Sequence, residues 1–334
     1  MKLDLAFMAS PLADIPALAR AAEAVGVDAV WTSETQRDPF LPLALVAEHT
    51  QRLHFGTAVA IAFARSPMTL AHTAWDLAQQ SGGRFMLGLG TQVKPHIERR
   101  FGMAWPESPV NKLREMVLAL RAVWQCWQTG EKLNFRGEYF KLTLMTPFFS
   151  PGPIEHPHIP IYIAGVNVGL ARLCGEVCDG FHVHPFHTAS YLREVLRPAI
   201  AEGAARAGRT TPVSVSASLF VVTSPAEREY ARQQLSFYAS TPSYRPVLEQ
   251  HGWAETGERL SALAARGGWA EMPALITDDM LGEFAVSAPS LAELAGPLRA
   301  RYAGLIDRVT LYRPFTPGAD EADWRRLAAD VQSQ

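Results

Sequence analysis

Apolar and polar residues follow two alternating patterns along this chain of 334 residues. Short apolar runs, typical of buried strands, alternate with longer stretches whose apolar residues recur at helical spacing. The pattern predicts eight strands: Lys2–Met8, Asp28–Thr32, Leu53–Ile61, Phe85–Leu89, Ile161–Ala164, Gly180–His184, Val213–Val222 and Val309–Tyr312. Because alternating strands and helices are the signature of parallel βα units, we predict an α/β fold, a (β/α)8 TIM barrel formed by residues 1–334 as one domain.

The helices that separate these strands are predicted by the same periodicity. The third helix opens behind Ser66, whose side chain is placed to cap it. The fourth carries Trp124 and Trp127 on an apolar face that is expected to lie against a sheet. The predicted ranges are Asp14–Val25, Pro42–His49, Pro67–Gln80, Asn111–Gln128, a helix ending at Val177, Leu192–Arg206, Ser290–Tyr302 and Asp323–Val331.

Two stretches interrupt the alternation and are interpreted as insertions. The first, at about 129–160, follows the fourth helix; its segment TGEKLNFRGEYFKLT predicts a hairpin with Arg136 and Gly137 at the turn. The second, at about 225–285, follows the seventh strand and begins with a helical pattern longer than one helix. We expect the part from Pro225 to Gly268 to cover the active-site pocket.

The end of the fourth strand is rich in glycine. Gly88 and Gly90 interrupt an apolar run, and Thr91 and Gln92 follow it. A backbone without Cβ can be approached closely by a flat ligand or by another strand. Because active sites of this fold lie at the carboxyl ends of the strands, we expect this loop to border the site.

The turn after the fifth strand reads Gly165-Val166-Asn167-Val168-Gly169. Glycines and a small polar residue at the start of a helix leave backbone N–H groups free, which suits a phosphate. The alternative is a plain turn in which Asn167 caps the helix.

Charge and composition exclude several classes of partner. A net charge of −2, from 31 basic and 33 acidic residues, argues against a surface for nucleic acid or an anionic membrane. The opening MKLDLAFMASPLAD does not resemble a signal peptide, and no apolar run is long enough to span a bilayer. We expect a cytoplasmic protein with reduced thiols at Cys126, Cys174 and Cys178, acting on a small molecule. No serine nucleophile elbow, Walker loop or HExxH motif occurs.

Three histidines follow the sixth strand. His182 and His184 project to the same side of that strand, a spacing that binds zinc in some barrel hydrolases, and His187 lies close by. No second matched pair of ligands is evident, so no metal site is assigned. A histidine that hydrogen-bonds a cofactor or substrate, and a structural histidine, are the other interpretations.

Several runs resemble one known family. They are VGVDAVWTSE, LHFGTAVAIAFARSPMTLAHTAWDLAQQSGGRFMLGLGTQ, ERRFGM and IPIYIAGVNVGLARLCGEVCDGFHVHPF. Together they resemble the luciferase-like monooxygenase superfamily, in particular its branch of deazaflavin (F420)-dependent oxidoreductases. The resemblance extends from the first strand to DRVTLYRPF near the end of the chain.

The resemblance implies a cofactor site at the ends of three strands. It places a non-prolyl cis peptide that backs the deazaflavin ring at Ala58 and Val59. It implies that the loop after the fourth strand borders the ring or its side chain, and that the turn after the fifth strand receives the cofactor phosphate. The matching positions are Gly90, Thr91 and Gln92 for the ring, and Gly165, Val166, Asn167 and Gly169 for the phosphate.

The implied reaction is hydride transfer between F420 and a small carbonyl, alcohol or activated alkene. Glu34 is the candidate acid or base, Thr35 the residue that orients it or the substrate, and His184 the reserve candidate. Where many similar proteins have a histidine just after the glutamate, this chain has Thr35. The alternative for Glu34 is a buried carboxylate paired with Arg37 or another cation.

Other functions are compatible with the same residues. The first is an FMN-dependent monooxygenase that works with a flavin reductase; the second is a zinc hydrolase that uses His182 and His184. A third is a barrel that binds the deazaflavin only as a carrier or sensor. The family likeness also implies a homodimer. Aromatic residues expected to shape the substrate pocket are Phe63, Trp105, Phe148, Tyr244 and Trp253.

Overall fold

The computed structural model describes residues 1–333. Within them, eight parallel strands close into a barrel, which confirms the predicted (β/α)8 fold. Each strand pairs with the next along the chain, and the eighth pairs with the first. The strands are β1 (Lys2–Phe7), β2 (Ala29–Thr32), β3 (His54–Thr57, resumed at Ala60–Ile61), β4 (Phe85–Gly90), β5 (Ile161–Gly165), β6 (Gly180–Val183), β7 (Ser214–Val222) and β8 (Arg308–Leu311).

Helices surround the barrel. The predicted cap is present, since Ser66 Oγ accepts a hydrogen bond of 3.1 Å from the Thr69 N–H. The longer helices are α1 (Ile15–Val25), α2 (Leu41–His49), α3 (Pro67–Ser81), α4 (Pro109–Thr129), α5 (Val168–Val177), α6 (Arg197–Arg206), α7 (Pro225–Ala239), α8 (Ala254–Ala265), α9 (Ala295–Tyr302) and α10 (Glu321–Gln332). The helix predicted over Leu192–Arg206 divides into a short turn at Ala189–Tyr191, a π-helical stretch at Leu192–Leu196 and α6. Pro198, which lacks an N–H, stands at the beginning of α6. No helix within residues 1–333 combines the length and apolar character needed to cross a membrane.

Side chains of the strands alternate between two environments. Outward residues such as Val30, Phe181 and Val309 join the large apolar core between the strands and the helices. Inward residues form a separate apolar cluster inside the barrel, with Trp31 and Tyr162 as its largest members. The barrel interior is thus filled by side chains up to the level of the strand ends, and the site lies above them.

A buried ion pair lies inside the barrel at its amino-terminal end. Arg308 donates two hydrogen bonds to Asp4, of 2.8 and 2.7 Å, and a third to Asp28. The Trp31 indole N–H also donates to Asp4, at 2.8 Å. Burial raises the pKa of Asp4 even though Arg308 opposes that shift. Because these groups satisfy one another, they form a closed polar network, which we call the floor (Asp4, Asp28, Trp31 and Arg308).

The first insertion contains the predicted hairpin. Phe135–Arg136 pairs antiparallel with Lys141–Leu142, and the turn covers residues 137–140. Arg136 therefore belongs to the strand, and the turn begins one residue later than predicted. The carboxylate of Glu115, on α4, accepts hydrogen bonds from the N–H groups of three turn residues, Glu138, Tyr139 and Phe140. This contact fixes the hairpin to the barrel.

The second insertion is helical, as its pattern predicts, and ends in an additional strand. Its shorter elements are Pro242–Tyr244, Arg245–Glu249, Met272–Leu275 and Asp278–Phe284. The additional strand, Ala285–Ser287, pairs in parallel with Phe220–Val222 at the end of β7. The sequence pattern does not predict this strand, because three residues are too few to show a period.

Candidate active site

The carboxyl end of β3 bulges toward β4. The peptide bond between Ala58 and Val59 is cis, at the position that the family resemblance implies. Just before it, the Thr57 hydroxyl donates to the Gly88 carbonyl at 2.6 Å and accepts from the Gly88 N–H at 2.9 Å. A Cβ on Gly88 would lie 1.8 Å from the Thr57 carbonyl oxygen. The close approach that requires glycine here is therefore that of the neighbouring strand.

Gly90 has a similar reason to be glycine. A Cβ at this position would lie 2.5 Å from Cγ2 of Val59, so the bulge and the end of β4 fit together. Beyond it, Gln92 adopts a left-handed conformation with φ of 60°, and its side-chain oxygen accepts a hydrogen bond of 3.0 Å from the Val93 N–H. Thr91 and Gln92 are half-buried at the mouth of the barrel.

Glu34, after β2, is joined to the bulged segment. Its N–H donates to the Val59 carbonyl at 3.2 Å, and its carboxylate accepts a 2.7 Å hydrogen bond from the Ile61 N–H. Arg65 donates to both carboxylate oxygens, at 2.5 and 2.9 Å. Glu34 was interpreted either as an acid or base or as a carboxylate paired with a cation. These contacts are those of a paired carboxylate, and its cationic partner is Arg65. Arg37 instead donates to the Ala9 carbonyl.

Thr35 lies on the outside of the same loop. Its side chain is exposed, and its carbonyl accepts a hydrogen bond from Arg100. The structure therefore places Glu34 beside the bulge and Thr35 in solvent. Within residues 1–333, the Thr35 hydroxyl makes no hydrogen bond with Glu34.

The turn after β5 leaves backbone donors free. Asn167 precedes α5 but does not cap it, because its side-chain amide donates to the Ser243 carbonyl at 3.2 Å. Within the described chain, the N–H groups of Val168, Gly169 and Leu170 have no acceptor. A helix start with free N–H groups is suited to an anion. Gly165 is the last residue of β5, and the side chain of Val166, which follows it, is buried.

Lys112, on the first turns of α4, was not singled out by the sequence pattern. Its ammonium nitrogen lies 5.1 Å from the centre of the Phe63 ring, just after β3. On the same helix, Val110 lies 3.6 Å from where a Cβ of Gly169 would be. Burial lowers the pKa of Lys112, and residues 1–333 offer it no ion-pair partner. Lys112 therefore places a cation without a carboxylate partner beside the end of β3, on the helix whose Val110 contacts the β5 turn.

The three histidines at the end of β6 are neutral groups in separate surroundings. His182 points into the barrel, with its ring centre 4.6 Å from that of Trp31. Burial lowers the pKa values of His182 and His184 to about 3, and that of His187 to about 4. Arg308 adds to the shift at His182, and His187 adds to that at His184. Among residues 1–333 there is no group of three or more His, Cys, Asp or Glu side chains placed to hold a metal ion.

Aromatic residues form two walls. Phe63 packs edge-on against Trp105 at a centroid distance of 5.8 Å, and His184 lies 4.5 Å from Tyr244 and 4.9 Å from Tyr238. Of the other aromatics expected at the pocket, Phe148 is 89% exposed on the first insertion. Trp253 stacks on His251 at 4.5 Å and lies 6.3 Å from Phe284.

An open groove of about 660 Å³ adjoins the outer side of the β5 turn. Its lining includes Asn167 and Val168 together with the carboxylates of Glu194 and Glu249. These negative charges disfavour a phosphate in the groove. An anion held at the start of α5 is therefore favoured on a side away from these carboxylates.

The residues that the sequence analysis selected thus come from consecutive strands and meet at one end of the barrel. The bulge follows β3, and the glycine-rich loop follows β4. The start of α5 follows β5, and His184 follows β6. The arrangement offers a fitted backbone wall, free backbone donors for an anionic group, a cation beside the end of β3, and an aromatic side. These features suit a flat ligand with an anionic arm.

Comparison with known proteins extends this description. Residues 4–308 match the profile of the family described as luciferase-like monooxygenase. An uncharacterised protein of Mycobacterium tuberculosis is 48% identical over 305 residues, covering 87% of this chain and 89% of that protein. The F420-dependent glucose-6-phosphate dehydrogenase of Nakamurella multipartita is 32% identical over 247 residues, 70% of this chain and 69% of its own. The solved coenzyme F420 dependent tetrahydromethanopterin reductase of Methanopyrus kandleri has a TM-score of 0.78 at 19% identity, and the alignment covers 99% of this chain and 98% of that one.

Proposed function

Because this chain belongs to the luciferase-like monooxygenase family and is an oxidoreductase of that family, we propose that it transfers a hydride between the deazaflavin F420 and a small organic substrate. The substrate is a carbonyl compound, an alcohol or an activated alkene. The observation that carries the proposal is the set of N–H groups at the start of α5 that have no acceptor within residues 1–333, because such a helix start suits the phosphate of the cofactor. The relatives named as F420-dependent enzymes support the choice of deazaflavin.

The residues present fit such a cofactor. The N–H groups of Val168 to Leu170, together with Lys112, would hold its phosphate, with Gly165, Val166, Asn167 and Gly169 shaping the turn. Ala58 and Val59 would back the ring, and Gly90, Thr91 and Gln92 would border it. When bound, F420 supplies a carbon centre that accepts or releases hydride. The protein's part is to orient the ring and substrate and to exclude water.

Glu34 is the proposed acid or base of the reaction, with its carboxylate paired to Arg65. As the acid or base of the reaction, it would exchange a proton while Arg65 and the Ile61 N–H fix its carboxylate. We expect Glu34→Gln to lower kcat and to alter its pH dependence, with Thr35→Ala as the neighbouring control of smaller effect. If kcat of Glu34→Gln equals that of the wild type at every pH, Glu34 takes no part in proton transfer and only stabilises the bulged end of β3.

Cofactor identity is the decisive test. Fluorescence titration of the purified chain with F420, FMN and FAD should give the tightest binding with F420. Tighter binding of FMN would support instead a flavin monooxygenase that depends on a reductase, the alternative that the family's description favours. A panel of ketones, alcohols and enones with reduced and oxidised F420 then tests for turnover. F420 binding without any redox change would favour a carrier or sensor.

The proposed setting is a cytoplasmic homodimer that acts on a small molecule. The small net charge of −2 fits such a substrate better than a nucleic acid. Light scattering coupled to size-exclusion chromatography measures the oligomeric state, and we expect twice the chain mass of 36.6 kDa.

A further inference from the structure

The loop after β6 determines which nitrogen of His184 carries a proton. The backbone N–H of Phe186 donates a hydrogen bond of 3.0 Å to Nδ1 of His184. A backbone N–H can only donate, so Nδ1 is the acceptor and carries no proton. The neutral imidazole therefore has its proton on Nε2.

The same loop is held a second time by His187. Its Nδ1 lies 2.8 Å from the carbonyl oxygen of His184, and because a carbonyl only accepts, Nδ1 of His187 is the donor. Residues 184–187 thus bind one another through two hydrogen bonds in opposite directions. The orientation of the His184 ring is set by its own loop before any ligand arrives.

Strand geometry directs His184 toward the mouth. Its N–H donates to the Gly165 carbonyl at 3.4 Å, which continues the pairing of β6 with β5. Side chains two residues apart on a strand face the same way, and His182 contacts Trp31 and Tyr162 inside the barrel. His184 therefore stands one layer above His182 on the inner side, where it is half-buried.

The groups packed against His184 are uncharged. Tyr244 and Tyr238 from the second insertion flank the ring, and burial raises the pKa values of both. Phe186 and His187 come from its own loop, and burial lowers the pKa of His187 to about 4. Because its own pKa is lowered to about 3, His184 stays neutral near pH 7 and is poorly suited to act as a general acid or base.

We propose that Nε2–H of His184 donates a hydrogen bond to the oxygen at the reacting carbon of the substrate, and that His184 itself transfers no proton. The inference rests on the proposed function and sharpens it, because it favours a ketone, an aldehyde or the matching alcohol over an alkene. Within residues 1–333, Nε2 makes no hydrogen bond, so this donor is available. Negative charge that develops on the oxygen during reduction is stabilised by the donor, and the proton that completes the alcohol comes from Glu34, the proposed acid of the reaction.

The state of the ring can be measured without cofactor or turnover. Long-range 1H–15N NMR of the uniformly labelled full chain, with His184 assigned by its loss in His184→Gln, should show the Nε2–H form. The resonances should not titrate between pH 5 and 8. Addition of cyclohexanone, a compact ketone, should shift the Nε2–H proton downfield. An Nδ1–H form, a midpoint near the ordinary value of about 6.5, or no response to the ketone would overturn the inference.

Three variants separate donation from proton transfer. In His184→Gln the side-chain amide can place an N–H near the position of Nε2; in His184→Asn it reaches only the position of Nδ1, and His184→Phe has no donor. With a carbonyl substrate found by the panel, we expect kcat of His184→Gln to stay within about tenfold of the wild type. His184→Phe and His184→Asn should lose about a hundredfold or more, with F420 affinity unchanged.

The results also distinguish the two proposals. Equal kcat in wild type and His184→Phe, or loss of a pH-dependent limb in His184→Gln, would overturn the role of His184 while F420 dependence stands. Failure of the wild type to bind F420 would overturn the proposed function, and the NMR response to cyclohexanone would still decide on the donor. Thermal unfolding of each variant checks that it folds, and the NMR test on the wild type does not depend on any variant's activity.

Discussion

The floor and the mouth of the barrel both contain polar groups, but several of those at the mouth are left without a partner among residues 1–333. At the floor, Asp4 accepts from Trp31 and Arg308, and Arg308 also donates to Asp28. At the mouth, the cation of Lys112 and the first N–H groups of α5 have no partner within residues 1–333. Buried polar groups that are fully paired contribute to a defined fold, whereas open ones are free to bind a ligand. Substitutions at the floor should therefore lower the free energy of unfolding, and substitutions at the mouth should lower the affinity for a ligand.

The largest effect is expected from Asp4→Asn. The change leaves the charge of Arg308 buried with Asp28 as its remaining acidic partner, and loss of one member of a buried pair costs about 3–5 kcal/mol. Urea unfolding measures the loss. Glu229→Gln, which removes an exposed pair with Arg232, is the control and should cost less than about 1 kcal/mol. A weakened affinity for F420 with unchanged stability would contradict the division between floor and mouth.

His182 lies between the two regions, and its lowered pKa predicts how the free energy of unfolding depends on pH. Its pKa is about 3 in the folded protein, against about 6.5 in an unfolded chain. Below pH 6.5 the unfolded chain binds the proton first, so stability falls as pH decreases and stops falling below about pH 3. Between pH 6 and 4, His182 alone should account for about 2.5 kcal/mol.

Replacement of His182 isolates this contribution. His182→Gln should flatten the dependence of unfolding free energy on pH, while His184 and His187 keep their share of the slope. His96→Gln, at an exposed helix position, is the matched control. If both variants keep the slope of the wild type, His182 is not held neutral by its surroundings.

Gly88→Ala tests the fit between β3 and β4. The new Cβ would meet the Thr57 carbonyl oxygen at 1.8 Å, and forced overpacking of this kind costs about 1–3 kcal/mol. Gly282→Ala is the control, because nothing lies within 4 Å of its Cβ position and alanine favours a helix. Thermal unfolding of both variants compares them. Equal stability would mean that the bulge can move aside.

The smallest effect is expected from Lys112→Met, and it should appear in affinity. Loss of the cation should weaken F420 binding about tenfold, equivalent to about 1.4 kcal/mol, with little change in unfolding. It should also reduce the dependence of binding on salt. Lys94→Met, which removes an exposed lysine, serves as the control. Unchanged F420 affinity in Lys112→Met would place the phosphate elsewhere.

The sequence was sufficient for the barrel because each strand is a separate apolar run. Ile161–Ala164 and Gly180–His184, for example, differ from the observed strands by one residue each. The sequence pattern does not predict the short helix Lys94–Arg99, since six mostly polar residues carry no apolar period. Local patterns therefore gave the order of the elements, and failed where an element was too short to have one.

The contacts within the site could be predicted less well from the sequence than the order of the strands. Glu34 was selected, but its partner Arg65 belongs to the loop of the next strand, 31 residues away, and only the closed barrel brings the two together. Lys112 lies on a helix whose apolar face dominates the pattern, so a single half-buried lysine gave no signal. Phe148 is aromatic like the residues of the pocket, yet it is exposed on the first insertion. Residue type indicates possible chemistry, whereas partners and exposure depend on tertiary packing.

The second insertion leaves the barrel and returns to it at one place. Thr223 and Ser224 join β7 to α7, and on the return Ser287 lies opposite Val222 in the parallel pairing. A segment whose two ends are side by side can be lengthened, shortened or exchanged without displacing the strands beneath it. We therefore expect that residues 225–284 can be replaced as one unit, and that such a replacement would change the side chains packed on His184. Such an exchange would leave the ends of β3, β4 and β5 as the inherited part of the site.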